Sequence, residues 1–214
     1  LVVDALLARG ASPDSIVAGA RTVAKAADLA DKGVRVVPLD YTVPESIDTA
    51  LEGVDSVLLI SGSDPGARLA GHVNVIEAAA RAGVKKLAYT SVSHADTSEL
   101  VLAPDHKATE EAIAASDIPA VLLRNNWYIE NSAGDLATAA QTGVLSAAVG
   151  DAAISAAARI DFAEAAAAVM LDDAHIGRTY ELAGPPATYS DIAAAMGEVL
   201  GREVVYAPAT AEEL

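Results

Sequence analysis

The sequence predicts an α/β protein: a doubly wound parallel sheet with helices on both faces, followed by a small C-terminal α/β lobe. Three observations lead there. From residue 15 to residue 123, short β-rich runs alternate with Ala-rich helical runs. Runs such as Val57-Leu58-Leu59-Ile60 are apolar throughout rather than alternating, the pattern of strands buried on both faces. The chain has 214 residues, 52% of them hydrophobic, enough for one substantial core and a small appendage.

Taken in order, residues 1–10 read as the later turns of an amphipathic helix stopped by Gly10. Nothing caps its start, so the chain is expected to begin inside an element, with a strand and turn preceding Leu1. Residues 15–19 suit a strand, 23–32 a helix closed by Gly33, and 34–38 a second strand. Pro44 near its start and Gly53 beyond its end frame a short helix over 44–51. Strands follow at 56–60, 86–91 and 119–123, separated by helices at 66–82 and 104–116. Beyond Asn131 the pattern loosens. Residues 136–141 and 161–171 suit helices, and strands at 179–182 and 203–206 flank a helix over 190–200, with Ser190 as a start signal.

Composition narrows the function. A net charge of −16 repels phosphate backbones and anionic membranes, so neither nucleic acid nor a membrane surface is an expected partner. No apolar run is long enough for a bilayer span and no signal-peptide pattern is visible. The chain has no cysteine, which excludes disulfide and thiolate chemistry within it and fits a cytoplasmic protein.

Candidate site residues lie after strands, where open parallel sheets bind ligands. The 15–19 strand leads into Ala20-Arg21, with Lys25 one turn on and no carboxylate at the tip. Arg21 at this position suits a ribose 2′-phosphate, hence NADP rather than NAD. Asp40 and Tyr41 suit either the flank of an adenine or a helix cap. Ile60, Ser61, Gly62 and Ser63 end an apolar strand with a small turn that admits a ribose or pyrophosphate, although a plain turn looks the same. Thr90 and Ser91 end the next strand, and His94 follows. The run 122–131 gathers Arg124, Asn125, Asn126, Trp127, Tyr128 and Asn131 at the exit of a strand, a composition suited to a flat, hydrogen-bonding ligand. His72 and His175 read as structural or exposed. His106 and Glu110 stand one helical turn apart, but no third ligand is placed, so no metal is expected.

Runs 74–79, 83–86 and 87–91 resemble the atypical short-chain dehydrogenase/reductases of the NmrA-like group. Runs 57–61, 94–98, 122–131 and 180–184 narrow the resemblance to the NAD(P)H:quinone oxidoreductase type 2 family. The resemblance implies a Rossmann-like domain, NADP(H) as cofactor and two-electron reduction of quinones. Carried over by position, Arg21 would meet the 2′-phosphate, Ser61 to Ser63 would lie along the cofactor, and Asn125 to Tyr128 would frame the nicotinamide and the quinone. Residues 1–131 are then the NADP-binding domain and 132–214 a substrate-binding lobe interwoven with it. The first is expected to be shortened at its N-terminus, because the Gly-rich turn of the family is absent, and the second at its C-terminus, because the resemblance implies a further C-terminal segment.

Orthodox members of the superfamily use a Tyr-x-x-x-Lys dyad. Here Leu102 and His106 stand at those positions. A ketone reduced to an alkoxide needs that acid. A reduced quinone leaves a phenolate-like anion whose conjugate acid has a pKa of about 10, so Tyr128, Asn125, His106 or water could serve. Trp127, Tyr128 and His94 are the expected acceptor-binding residues. The alternatives are a non-catalytic, NADP-sensing regulator of the NmrA-like type and an isoflavonoid-type or sugar-nucleotide reductase. A homodimer is compatible with any of them.

Overall fold

The structure, a computed structural model, describes residues 1–64 and 66–213; Leu214, the last residue of the expected lobe, lies outside them. The chain forms two compact units. The first comprises Leu1–Asn125 and Phe162–Leu182, the second Asn126–Asp161 and Ala183–Leu214.

In the first unit the order is α1 (Val2–Ala8), β1 (Val17–Ala20), α2 (Ala27–Ala30), β2 (Arg35–Pro38), α3 (Pro44–Ala50), β3 (Ser56–Leu59), α4 (Arg68–Arg81), β4 (Lys86–Val92), α5 (Ala103–Ala115) and β5 (Ala120–Asn125). Strands β1 and β2 pair in parallel. Strands β3, β4 and β5 form a parallel sheet whose fourth member, β8 (Thr179–Leu182), adds alongside β5. The strand at 179–182, expected in the C-terminal lobe, thus belongs to this sheet.

The period-2 geometry of strands sends alternate side chains to opposite faces. On one face Val57, Leu59, Leu87 and Tyr89 pack with Ile47 of α3, Val75, Ile76 and Ala79 of α4 and Ile113 of α5. On the other, Leu58, Ala88, Val121, Leu123, Tyr180 and Leu182 meet Val2 of α1 and Ala166 and Val169 of α7 (Arg159–Leu171). Both faces are covered, which is why the strands read as unbroken apolar runs. Lys86 starts β4 only 2% exposed. Its ammonium reaches the end of α7, donating to the carbonyls of Val169 (3.3 Å) and Met170 (2.9 Å) and to the Asp173 carboxylate (2.6 Å).

The expected helix over 23–32 is instead a 3₁₀ turn (Val23–Ala26) running into the four-residue α2, and neither has a buried residue. Good helix formers without an apolar face to bury do not sustain a longer helix.

The second unit contains α6 (Ala133–Thr142), β6 (Val144–Ala147), β7 (Ala153–Ile154), β9 (Ala187–Thr188), α8 (Tyr189–Leu200) and β10 (Val205–Pro208). Strands β6 and β10 pair in parallel, β7 and β9 antiparallel. Its core joins Ala139, Leu145, Ala193, Met196 and Val204. Helix α8 starts one residue before Ser190. Thr188 is its cap, in a reciprocal box: the Asp191 N–H donates to the Thr188 hydroxyl and the Thr188 N–H to the Asp191 carboxylate. Gly201 ends the helix in the left-handed conformation.

Among the described residues no helix is long and apolar enough to cross a membrane.

Candidate functional site

The carboxyl ends of β1, β2 and β3 open onto a cleft of about 300 Å³ in the first unit. Arg21 follows β1, Leu39 to Thr42 follow β2, Ser61 to Asp64 follow β3, and Ala67, Arg68 and Gly71 come from the start of α4. Two glycines allow the walls to close. A Cβ on Gly19 would lie 2.3 Å from the Leu39 side chain, and one on Gly71 would lie 3.0 Å from the Tyr41 Cβ.

The cleft carries two guanidinium groups. Arg21 is largely exposed, with Nη1 3.8 Å from the Asp64 carboxylate. Arg68 is largely buried; Nε donates to the Gly62 carbonyl at 2.7 Å, and Nη1 lies 3.5 Å from Asp105. Asp40 accepts from the Thr42 N–H (2.9 Å) and hydroxyl (2.7 Å), which hold its carboxyl below the usual range. The Tyr41 hydroxyl donates to the Ile60 carbonyl at 3.1 Å, and burial pushes its pKa to about 12.

Side chains fix the turn after β3. The Ser61 N–H donates to Thr90 Oγ1 and the Gly62 N–H to His72 Nε2, both at 2.9 Å. His72 is fully buried, and its Nδ1 lies 3.0 Å from Thr109 Oγ1. Burial first, then the charges of His106 and Arg68, lower the His72 pKa to about 4. Its structural reading is met, but the position of the ring against the cleft was not legible as a site.

The expected residues separate into groups. Arg21, Asp40, Tyr41, Ser61, Gly62 and Ser63 line the cleft together. Thr90 supports it from behind. Ile60 contributes its carbonyl to Tyr41, and its side chain is half exposed. Lys25 sits on the exposed 3₁₀ turn, outside the lining. His106 is buried beneath the sheet, with Nδ1 2.7 Å from the Tyr89 hydroxyl. Burial and the charge on Arg68 lower its pKa to about 4.

A second polar cluster lies at the ends of β4, β5 and β8. Arg124 donates to Glu110 through Nε (3.0 Å) and Nη2 (2.7 Å), and through Nη1 to Asp96 (3.0 Å) and Glu181 (3.1 Å). Ser91 donates to Glu110 at 2.6 Å, and Ser93 and the His94 N–H donate to Glu181. The hydrogen bond from Arg124 to Glu110 leads the effects that raise the Arg124 pKa. Burial opposes ionisation of Glu181, but the His94, Arg124 and Ser93 donors together lower its pKa. His94 takes a left-handed φ of 52° beside this carboxylate. Ser91 and His94 are therefore tied into an ion-pair network that single-residue inspection did not reveal, because its members come from four separate stretches of chain.

Asn125 ends β5 in the first unit and is buried. Trp127 and Tyr128 belong to the second unit. Trp127 is 44% exposed, and a parallel bridge joins Tyr128 to Ala157.

A family profile described as NAD(P)H-binding matches residues 1–173. This chain belongs to the NAD(P)H-binding family. Within it, quinone oxidoreductase 2 of Escherichia coli (strain K12) is 46% identical over 192 residues, covering 89% of this chain and 67% of that protein. Two solved structures superpose on nearly all of the chain. The NADPH-dependent quinone oxidoreductase of Escherichia coli complexed with NADPH has a TM-score of 0.93 at 43% identity, covering 98% of this chain and 74% of that one. The Citrobacter sp. triphenylmethane reductase complexed with NADP(H) has a TM-score of 0.93 at 36% identity, covering 99% and 76%.

The donor set suits the anionic, ribose-bearing cofactor of this family. The exposed Arg21 guanidinium supplies the charge, Ser61 and Ser63 supply hydroxyls, and Gly62 lets backbone approach closely. The cleft has room for the adenosine half.

Proposed function

We propose that this chain is an NADPH-dependent reductase that passes hydride to a small quinone-type acceptor. The observation that carries the reading is Arg21 beside the 61–63 turn in one cleft of an NAD(P)H-binding fold. The quinone reductase relatives support the choice of acceptor. The bound cofactor would supply the hydride; the chain supplies binding, orientation and protons.

Arg21 recognises the 2′-phosphate, with a guanidinium fork matched to phosphate oxygens. Asp40 and Tyr41 flank the adenine. The Tyr41 phenol stays protonated at any working pH and keeps its proton on the Ile60 carbonyl. Ser61, Gly62 and Ser63 run along the ribose and phosphates, while Thr90, Ser91 and Asn125 extend towards the nicotinamide. Trp127 and Tyr128 of the second unit offer rings and a phenol to a planar acceptor.

His106 is not the acid in this reading. It is neutral at pH 7, buried, and engaged by the Tyr89 hydroxyl. Reduction of a quinone tolerates that loss, because the anion produced is delocalised and takes its proton from Tyr128 or water.

The test is NADPH and NADH oxidation with a small quinone. Arg21→Ala should weaken NADPH about 10- to 100-fold in kcat/KM, from loss of a charge-assisted contact, and leave NADH within about twofold. Unchanged preference removes the 2′-phosphate assignment. Stabilisation by NADP+ with no turnover on a panel of quinones favours the sensing alternative.

A further inference from the structure

We propose that His72 and Arg68 are a positioning pair that fixes the two peptide planes flanking Gly62, and so holds the 61–63 turn in the form that receives the cofactor. The inference rests on the reading that this cleft takes NADPH, and it assigns a role to two residues that were not expected to have one.

The N–H of Gly62 belongs to the peptide before its Cα and the carbonyl to the peptide after it. His72 Nε2 accepts from the first at 2.9 Å, and Arg68 Nε donates to the second at 2.7 Å. Glycine has the least restricted backbone of any residue. Here nothing steric restrains it: a Cβ on Gly62 would meet only His72 Nε2, at 3.8 Å. The restraint comes from hydrogen bonds on both sides, the carbonyl accepting also from the Ser61 hydroxyl at 3.3 Å. Thr90 at the Ser61 N–H and Tyr41 at the Ile60 carbonyl complete a set of side-chain grips on three consecutive residues.

The polarity of the His72 grip is determined by its surroundings. Nε2 must be unprotonated to accept from an N–H, so the proton of the neutral ring sits on Nδ1. Nδ1 faces Thr109 Oγ1 at 3.0 Å, and the Thr109 hydroxyl donates to the Asp105 carbonyl at 2.8 Å. Thr109 therefore accepts from His72. The relay runs Gly62 to His72 to Thr109 to Asp105, every member satisfied, with a ring to which no water has access. Burial first, and the cationic neighbour Arg68 with it, opposes protonation of the ring and keeps it an acceptor.

A turn held before the ligand arrives does not lose its backbone freedom on binding, so releasing a grip should appear as weaker cofactor binding. The chemistry of the acceptor should leave kcat at saturating NADPH unchanged. Side-chain amides distinguish this from simple filling of space. Gln at 72 places an acceptor near the Nε2 position; Asn places one near Nδ1 and cannot reach Gly62.

The experiment compares wild-type, His72→Gln and His72→Asn by NADPH titration, by KM for NADPH against kcat, and by hydrogen exchange of the Gly62 amide. Thr109→Val, which removes the acceptor that fixes the ring tautomer, is the second route should the Asn variant not fold. The expected result is Gln within about threefold of wild-type, and Asn or Val weaker for NADPH by about tenfold, a single lost hydrogen bond. In the weaker variants KM should rise, kcat should hold within twofold, and the Gly62 amide should lose protection. Equal affinity in Gln and Asn variants, or wild-type NADPH binding in a variant whose Gly62 amide has lost protection, overturns the positioning role. A wild-type protein that takes no NADPH, while its Gly62 amide still follows the residue at 72, overturns the cofactor reading and this role with it. That outcome differs visibly from NADPH binding with an unresponsive Gly62 amide, which sinks the positioning role alone.

Discussion

Acid should destabilise the first unit through its two buried imidazoles, and the effect can be sized. His72 and His106 each have a pKa lowered from 6.5 to about 4, chiefly by burial. A folded-state pKa below the unfolded value means the unfolded chain binds the proton more readily. Stability is then fully present above pH 6.5 and is lost as pH falls towards 4. At about 1.36 kcal/mol per pKa unit, each ring should cost about 2 kcal/mol between pH 7 and pH 4.5. Carboxylates titrate nearby, so the clean measurement is a difference. His106→Phe removes one imidazole while filling its volume. It leaves the Tyr89 hydroxyl without its ring partner, a loss of about 1–3 kcal/mol at pH 7. Urea unfolding from pH 7 to 4.5 should therefore show a less stable variant with a shallower pH slope, the gap closing by about 2 kcal/mol at the acid end. Parallel curves for variant and wild-type would show that His106 does not titrate differently in the folded protein and would refute the argument.

Three further outcomes follow from other contacts. Lys86→Met strips its hydrogen bonds from the end of α7 and leaves two carbonyls there, and should cost about 2–4 kcal/mol in urea unfolding; wild-type stability would show that the buried ammonium contributes nothing net. Arg124→Met leaves the poorly exposed Glu110 without its bidentate partner and should cost about 3 kcal/mol in calorimetry at pH 7; unchanged stability would show that the ion pair contributes nothing net. Asp64→Asn removes the anion that faces Arg21 and should tighten NADPH several-fold while leaving NADH unchanged, in fluorescence titration at low salt; equal tightening of both would detach Asp64 from the phosphate.

The sequence displayed the sheet because its strands are buried on both sides, and Val57 to Leu59 or Leu87 to Tyr89 cannot be read otherwise. It displayed the cleft positions because strand ends are punctuated by small and polar residues: Arg21, Asp40 and the Ser61-Gly62-Ser63 turn. It hid what depends on distant partners. Arg124 and Asn125 looked like the exit of a strand, yet both lie within β5, since pairing with β4 and β8 continues through them. Arg68 carries no signal in the sequence, and only the fold brings it to the Gly62 carbonyl. The short strands β6, β7 and β9 carry no periodic signal at two to four residues each. Thr188 rather than Ser190 caps α8, and Thr188 with Asp191 three residues on is the pattern of a capping box.

The order of the main sheet has a consequence for biosynthesis. Its fourth strand and the helix covering one of its faces come from Phe162–Leu182, after an intervening excursion of the chain. While the polypeptide emerges from the ribosome, β5 stands as a bare edge, and Leu58, Ala88, Val121 and Leu123 lack most of their cover until residue 182 is out. Nascent chains stalled short of that point should be held by chaperones, and those released just beyond it should not.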